Sequence, residues 1–227
     1  MSIKSEFSEH AKDYDGNNII QRIVSRALVR EIKDKPKRIL ELGCGSGQVF
    51  RQIDWDIEYY KAVDFSKDMC KLHPKKKGVE VSCVDFDSQR FFDEISNKRF
   101  DIVISSSAMQ WSKNLPLLLE QLMKTTNKFS GVLFTSNTFK SIYNITKMKK
   151  AILSLDEIKQ AFDKYGANYE VFNYKLEFDT KKKLFDYIKN SGVKGEVSLS
   201  FKEAKKLYKE YNLNYLEFEV VFVKIGY

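Results

Sequence analysis

Histidine and cysteine are scarce in this sequence, two and three among 227 residues, and that scarcity removes whole classes of chemistry. His10 and His73 lie far apart, which leaves no pattern for a histidine-built metal site or a Ser-His-Asp triad. His73, next to Pro74 and a run of lysines, reads as a solvated surface residue. Cys44, Cys70 and Cys83 are odd in number and none is near another in sequence. Neither a disulfide framework nor a C-x-x-C zinc site is therefore expected. Long apolar runs are missing as well: nothing approaches the ~20 residues of a membrane span. The opening MSIKSEFSEHAKDYD has neither the apolar centre nor the small-residue cleavage pattern of a secretory signal. These absences predict a cytoplasmic protein with no resident metal and no membrane partner.

Linkers are absent too. No Pro/Gly/Ser-rich stretch, repeat or low-complexity segment divides the chain, so residues 1–227 read as a single domain. A domain of that size buries roughly 70% of its extended-chain surface. With 43% hydrophobic and 31% charged residues, the composition argues for a folded globule and against disorder.

What the chain has in plenty is lysine. The net charge is +8, with clusters at 75–77, 147–150, 181–183 and 202–206. A basic surface steers acidic partners toward it: nucleic acid, anionic lipid or an acidic protein. Lysines that merely decorate solvated helix faces give the same count. Nothing in the sequence speaks to oligomeric state.

Apolar spacing outlines the elements. FSEHAKDYDGNNIIQRIVSRALVREIKD places Ile20, Ile23, Val24, Ala27, Leu28 and Ile32 on one helical face. Strands follow at RILEL, YYKAVDF, VEVSCVDF and FDIVISSS; then LPLLLEQLMKTTNKF reads as a helix and GVLFTSN as a fifth strand. Alternation of this kind over residues 37–137 predicts an α/β fold with a mostly parallel sheet. Later come a helix capped by Ser154 and stopped at Gly166, a strand at YEVFNYKLEF, a helix ending at Gly192, and a helix with Ser200 and Glu203 in capping-box spacing. The closing YLEFEVVFVKI is the seventh strand. Only a helical stretch separates it from the sixth, so it is expected to run antiparallel to the rest.

The first strand runs into RILELGCGSGQVF, where Gly43, Gly45 and Gly47 alternate. A strand, glycine loop and helix present backbone N–H groups to a ligand, and two ligand classes compete for that arrangement. The dinucleotide fingerprint G-x-G-x-x-G requires a third glycine where Gln48 stands. The pattern here is E-x-G-x-G-x-G, beginning at Glu41. It resembles motif I of the class I adenosylmethionine-dependent methyltransferases, and that resemblance implies their Rossmann-like fold and adenosylmethionine as cofactor. In that family alternating glycines let the loop hug the ligand while the acid attracts its cationic end. Asp64, 21 positions beyond Gly43 at the next strand tip, would then bind the ribose hydroxyls, with Phe65 beside it. Asp85 would accept from the adenine amine while Phe86 packs near the ring, and Ser105 completes the cofactor set. Cys44 reads as a small filler within the loop.

Two further segments narrow the resemblance. FSEHAKDYD followed by Gln21 resembles the F-x-x-x-A-x-x-Y-D…Q start of the malonyl-acyl-carrier-protein O-methyltransferases of biotin synthesis. SSSAMQW resembles that family's S-N-x-A-x-Q-W, and the closing strand resembles its T-Y-E-V-x-Y. The resemblance implies a helical N-terminal lid over 1–35, a cofactor-binding half over 37–137 and an acceptor-side half over 138–227. It also implies an acidic, malonyl-loaded acyl carrier protein as partner. Tyr14 and Trp111 are then the candidates for positioning the acceptor, with Gln21 and Gln110 beside them. The chain departs from the family at TNKFSG, which lacks the usual L-K-P-G-G turn, at Ser106, which replaces Asn, and at TFKSIYNITKMKK, which matches no pattern. A methyltransferase for a small free acid or quinone precursor shares every cofactor feature, and so does a non-catalytic adenosylmethionine-binding protein. Nucleic acid is disfavoured, since no N-P-P-Y-type motif follows the fourth strand.

Overall fold

The computed structural model describes residues 18–147, 150, 152–190 and 200–227. Its first element is helix α1 (Ile19–Glu31), whose apolar face at Ile20, Ile23, Val24, Ala27 and Leu28 is buried as the spacing requires. There follow β1 (Arg38–Leu42), β2 (Tyr59–Asp64), α2 (Lys67–Leu72), β3 (Val79–Cys83), α3 (Gln89–Ile95), β4 (Ile102–Ser106), α4 (Leu115–Met123) and β5 (Phe129–Phe134). The later part holds α5 (Lys140–Thr146), α6 (Leu155–Phe162), β6 (Asn168–Glu177), α7 (Lys181–Asn190), α8 (Phe201–Glu210) and β7 (Tyr215–Ile225). Residues 1–17 of the expected N-terminal lid, with His10 and Tyr14, and the stop at Gly192 lie outside the described residues.

Seven strands form one sheet in the order β3-β2-β1-β4-β5-β7-β6. Neighbours from β3 through β5 pair in parallel, while β7 runs antiparallel to both β5 and β6. The last strand alone therefore opposes the others, as expected from the helical connection before it. The parallel strands align their carboxyl ends along one edge, and the loops that leave that edge build the site.

Helices cover both faces. On one, α1, α7 and α8 pack on Phe134, Phe218, Val220 and Phe222; on the other, α3, α4 and α6 pack on Leu40, Val103, Phe129 and Val221. Buried Lys61 on β2 is satisfied by Glu80 at 2.5 Å, Ser82 at 2.7 Å and Glu94 at 3.0 Å, which explains how a charge persists at zero exposure. No helix among the described residues is long and apolar enough to cross a membrane.

Two boundaries differ from the sequence reading. The fifth strand begins at Phe129 rather than Gly131, because α4 stops at Met123 and the Thr125 hydroxyl closes its end on the Leu122 carbonyl at 2.7 Å. Phe129 then enters the sheet fully buried, against Phe162 at 5.2 Å. The patternless segment after it forms α5, whose ends are the left-handed residues Phe139 and Lys147, both at φ 58°. A left-handed phenylalanine costs energy, and burial of its ring 5.1 Å from Phe218 offsets the strain.

Phe218 also contacts Phe134 and Tyr187, so it joins β5, β7, α5 and α7. Phe218→Ala is expected to cost about 3–5 kcal/mol, as for other fully buried aromatics, measured as a fall in the urea midpoint.

Candidate functional site

At the end of β1 the chain turns through Gly43, Gly45 and Gly47, all with positive φ, at 68°, 53° and 89°. The Val63 carbonyl on β2 receives the Gly43 and Cys44 amides at 2.8 and 3.0 Å, which pins the loop to the neighbouring strand. The three glycines serve different ends. A Cβ at Gly43 would fall 2.1 Å from the Ala108 Cβ, and one at Gly47 would fall 2.5 Å from Pro74 Cδ. Those two positions are kept bare by the protein's own packing. A Cβ at Gly45 would meet nothing within 4 Å. The open face of the loop is at Gly45.

Asp64 ends β2 directly beside it. Its Oδ2 accepts the Gly45 amide at 2.8 Å and its Oδ1 the Ser66 amide at 2.8 Å, leaving the residue 8% exposed. Phe65, next in sequence, is 76% exposed, a large ring held out at the strand tip. Glu41 points the other way. It is buried, and the Tyr60 hydroxyl donates to it at 2.6 Å. Burial raises its carboxyl to about 8, against the Tyr60 hydrogen bond and with the help of the Asp64 charge. Cys44 fills the loop: it is buried, and burial pushes its thiol up.

The β3 tip carries Asp85, partly exposed, and Phe86, buried in the core under α3 and α4. The exposed ring in this region is thus Phe65 and not Phe86. Ser105 on β4 is fully buried, its hydroxyl donating to the Leu42 carbonyl at 3.0 Å, so its visible part is to lock β4 to β1. Beyond it Ser107 adopts a left-handed φ of 60°, and buried Gln110 donates to its carbonyl at 2.8 Å. Trp111 packs on the face covered by α1, the helix that carries Gln21. Tyr14 lies outside the described residues.

His73 requires a correction. It is 2% exposed, not solvated: its ring sits 5.4 Å from Phe50 and 6.3 Å from Tyr60 and backs Gly47. Burial lowers its pKa, partly opposed by the Pro74 carbonyl. The exposed lysines that follow it hid this, because the turn at Pro74 folds the ring inward while the lysines point out. The cysteines also come closer than their sequence spacing shows. The Cys70 and Cys83 thiols reach the carbonyls of the adjacent residues Asp64 and Phe65, at 3.5 and 3.6 Å.

The corner of β1 and β2 therefore offers an unobstructed glycine, an acid fixed by backbone amides and an exposed ring. These features suit a nucleoside with a cationic tail, and adenosylmethionine fits them. Among the described residues no group of three His, Cys, Asp or Glu side chains is placed to hold a metal. Tyr60, His73 and Ala108 support the loop from outside it. No local motif marks them, since each reaches the loop through the fold.

Residues 40–132 match a family model described as a methyltransferase domain. A malonyl-[acyl-carrier protein] O-methyltransferase from Priestia megaterium is 28% identical over 70% of this chain and 62% of its own length. One from Halalkalibacterium halodurans is 25% identical over 72% of this chain and 66% of its own. This chain thus spans less than two thirds of the length of these relatives. Among solved structures, the YcgJ protein of Bacillus subtilis superposes with a TM-score of 0.64 at 14% identity, covering 89% of this chain and 98% of that one. The plantazolicin methyltransferase BpumL in complex with SAH gives 0.52 at 17% identity, covering 97% and 93%. The shared architecture is the class I methyltransferase fold.

Gly43→Ala is expected to lower the urea midpoint well below that of Gly45→Ala, which meets no atom. The reverse order would mean that Ala108 does not pack on Gly43. Glu41 supplies a pH test. Its folded carboxyl, raised to about 8, keeps a proton that the unfolded chain releases near its ordinary value. Stability falls as pH rises between those limits and levels off above them. Glu41→Gln keeps an acceptor for Tyr60 and removes the titration. Its stability relative to wild type should rise steadily from about pH 5 to 8 in urea unfolding, and a flat difference would show Glu41 ionised throughout.

Proposed function

We infer that this chain, whose residues 40–132 carry a methyltransferase domain, transfers a methyl group from adenosylmethionine to a free carboxylate, with malonyl-acyl carrier protein as acceptor. The observation that carries the first half is the β1–β2 corner, where Asp64 holds the one open glycine and Phe65 stands exposed beside it. The second half is supported by the likeness to relatives named for that reaction and by Gln110–Trp111 after β4.

Adenosylmethionine supplies an electrophilic methyl group on a sulfonium. The Gly45 face of the loop would take the ligand's backbone contact, Asp64 the ribose, and Asp85 with Phe65 the adenine. Glu41, beneath the loop, meets the cationic tail through its charge when it ionises. A malonyl carboxylate has a solution pKa of about 4 and is already ionised at neutral pH, so no general base is required. That agrees with a chain whose one described histidine is buried behind Gly47. Orientation of the carboxylate against the methyl group would contribute up to roughly 7–11 kcal/mol. Trp111 and Gln110 on the described side, and Tyr14 from a lid over 1–35, are the residues assigned to that orientation. The +8 charge suits an acidic carrier protein met in the cytoplasm.

A second reading is favoured by the segment after β5. Glu219 on β7 accepts from its Thr135 at 2.5 Å and its Asn137 at 3.0 Å, and Glu217 on β7 accepts from its Ser141. Two carboxylates among hydroxyls repel an anionic acceptor and suit a hydroxylated one, such as a small quinone precursor.

The test is mass spectrometry of malonyl carrier protein incubated with the protein and adenosylmethionine. A methyl-ester increment is expected there, with less on free malonate, malonyl-coenzyme A or aconitate. The rate should stay nearly flat from about pH 6 to 8, because the acceptor titrates well below that range. A rate that climbs through neutrality, with turnover of a phenolic acceptor, would overturn the carboxylate assignment in favour of the second reading.

A further inference from the structure

The sheet order places β2 and β1 between β3 and β4, so the tips of β3 and β4 stand three strand spacings apart, roughly 14 Å. The chain nevertheless joins them. Asp87, just past the β3 tip, accepts the Ser112 hydroxyl on Oδ1 at 2.7 Å and the Lys113 amide on Oδ2 at 2.8 Å. Both donors belong to the segment that leaves β4. The Asp87 amide in turn donates to Asp85 Oδ1 at 2.9 Å. A looser link runs alongside, from Lys113 Nζ to Asp85 Oδ2 at 3.5 Å, between groups that are 80% and 45% exposed. Solvent screening leaves that outer pair little weight.

Helix capping does not account for Asp87. Ser88 caps α3, accepting the Phe91 amide, and Asn114 caps α4, accepting the Leu117 amide. Asp87 stands outside both helices with each carboxylate oxygen committed to the same distant segment. That segment is anchored at its other end by Ala108 against Gly43. It therefore runs as a strap from the glycine loop to the β3 tip, beside the ends of β1 and β2.

We propose that Asp87 is a positioning residue that fastens this strap and so fixes the adenine side of the cleft, holding Asp85 in place through its own amide. The proposal rests on reading the cleft as an adenosylmethionine site. It assigns to Asp87 no contact with substrate or with the reacting atoms. Its effect falls on the nucleoside half of the ligand, far from the methyl group in the order of the strand tips.

Calorimetry with adenosylhomocysteine and with adenosine tests it, using Asp87→Ala and the milder Ser112→Ala, which removes the bond to Asp87 and the longer one its hydroxyl accepts from the Asn114 amide at 3.3 Å, and leaves the Asp85 turn intact. Asp87→Ala should weaken both ligands equally, by about tenfold, and Ser112→Ala by about threefold. The KM for adenosylmethionine should rise in step while kcat at saturating cofactor stays near wild type. In the ligand-free variants, amides over 107–114 should exchange with deuterium faster than in wild type. A merely structural Asp87 would lower the melting temperature yet leave adenosine affinity within about twofold of wild type, and that result overturns the proposal. Should Asp87→Ala not fold, Ser112→Ala decides by the same criterion. Wild-type protein that binds neither ligand would overturn the cofactor reading itself, which is distinct from a loss confined to the variants.

Discussion

Asp64 is the joint on which the site depends. A carboxylate at the end of β2 accepts one amide from the glycine loop and one from the turn into α2, both at 2.8 Å. Charge-assisted bonds to backbone amides hold a loop without demanding anything of its side chains, which is what a glycine loop requires. Once Gly45 is held on that carboxylate, Gly43 falls against Ala108 and Gly47 against the Pro74–His73 turn. Three connections, after β1, after β2 and after β4, are thereby fitted to one another. The open side of the loop is what they leave.

This changes what the alternating glycines mean. Of the three, Gly43 and Gly47 are demanded by protein packing, and Gly45 alone leaves room for a ligand. A motif so dense in glycine records how tightly three loops converge as much as what binds there. Glu41 follows the same logic. Its place under the loop, hydrogen-bonded to Tyr60, makes it part of the loop's support before any charge attraction begins. A carboxyl lifted to about 8 by burial is largely protonated at neutral pH, so its charge responds to whatever cation comes near.

The parts of the fold legible in the sequence are those set by local pattern. FDIVISSS announces a buried parallel strand because nothing polar interrupts its apolar run Ile102–Ile104, and Ser154 and Ser200 announce helix starts because their capping boxes are local. The closing strand's direction followed from the purely helical connection before it. What stayed hidden depends on distant partners. α5 is bounded by two left-handed residues that no propensity favours, and Phe139 tolerates that conformation only because Phe218 arrives from β7. His73 reads as solvated because its sequence neighbours are, and no local pattern marks Asp87 because its two donors lie some 25 residues onward. Asp64 and Phe65 were legible as site candidates from spacing to the glycines. Which glycine they serve was not.

The strand order has a temporal consequence. β7 lies between β5 and β6 in space but follows β6 in the chain. As the polypeptide leaves the ribosome, β1 to β5 can assemble through sequential parallel units, whereas β6 has no place to dock until β7 has emerged and slotted beside β5. Residues 168–177 must wait, with their strand edges unpaired, for a partner nearly 40 residues later. Assembly of this sheet is therefore a two-stage event, and its second stage is a single insertion. A nascent chain stalled before Tyr215 would hold β1 to β5 assembled and an exposed, aromatic-rich remainder, which is the species a cell's chaperones would have to shield.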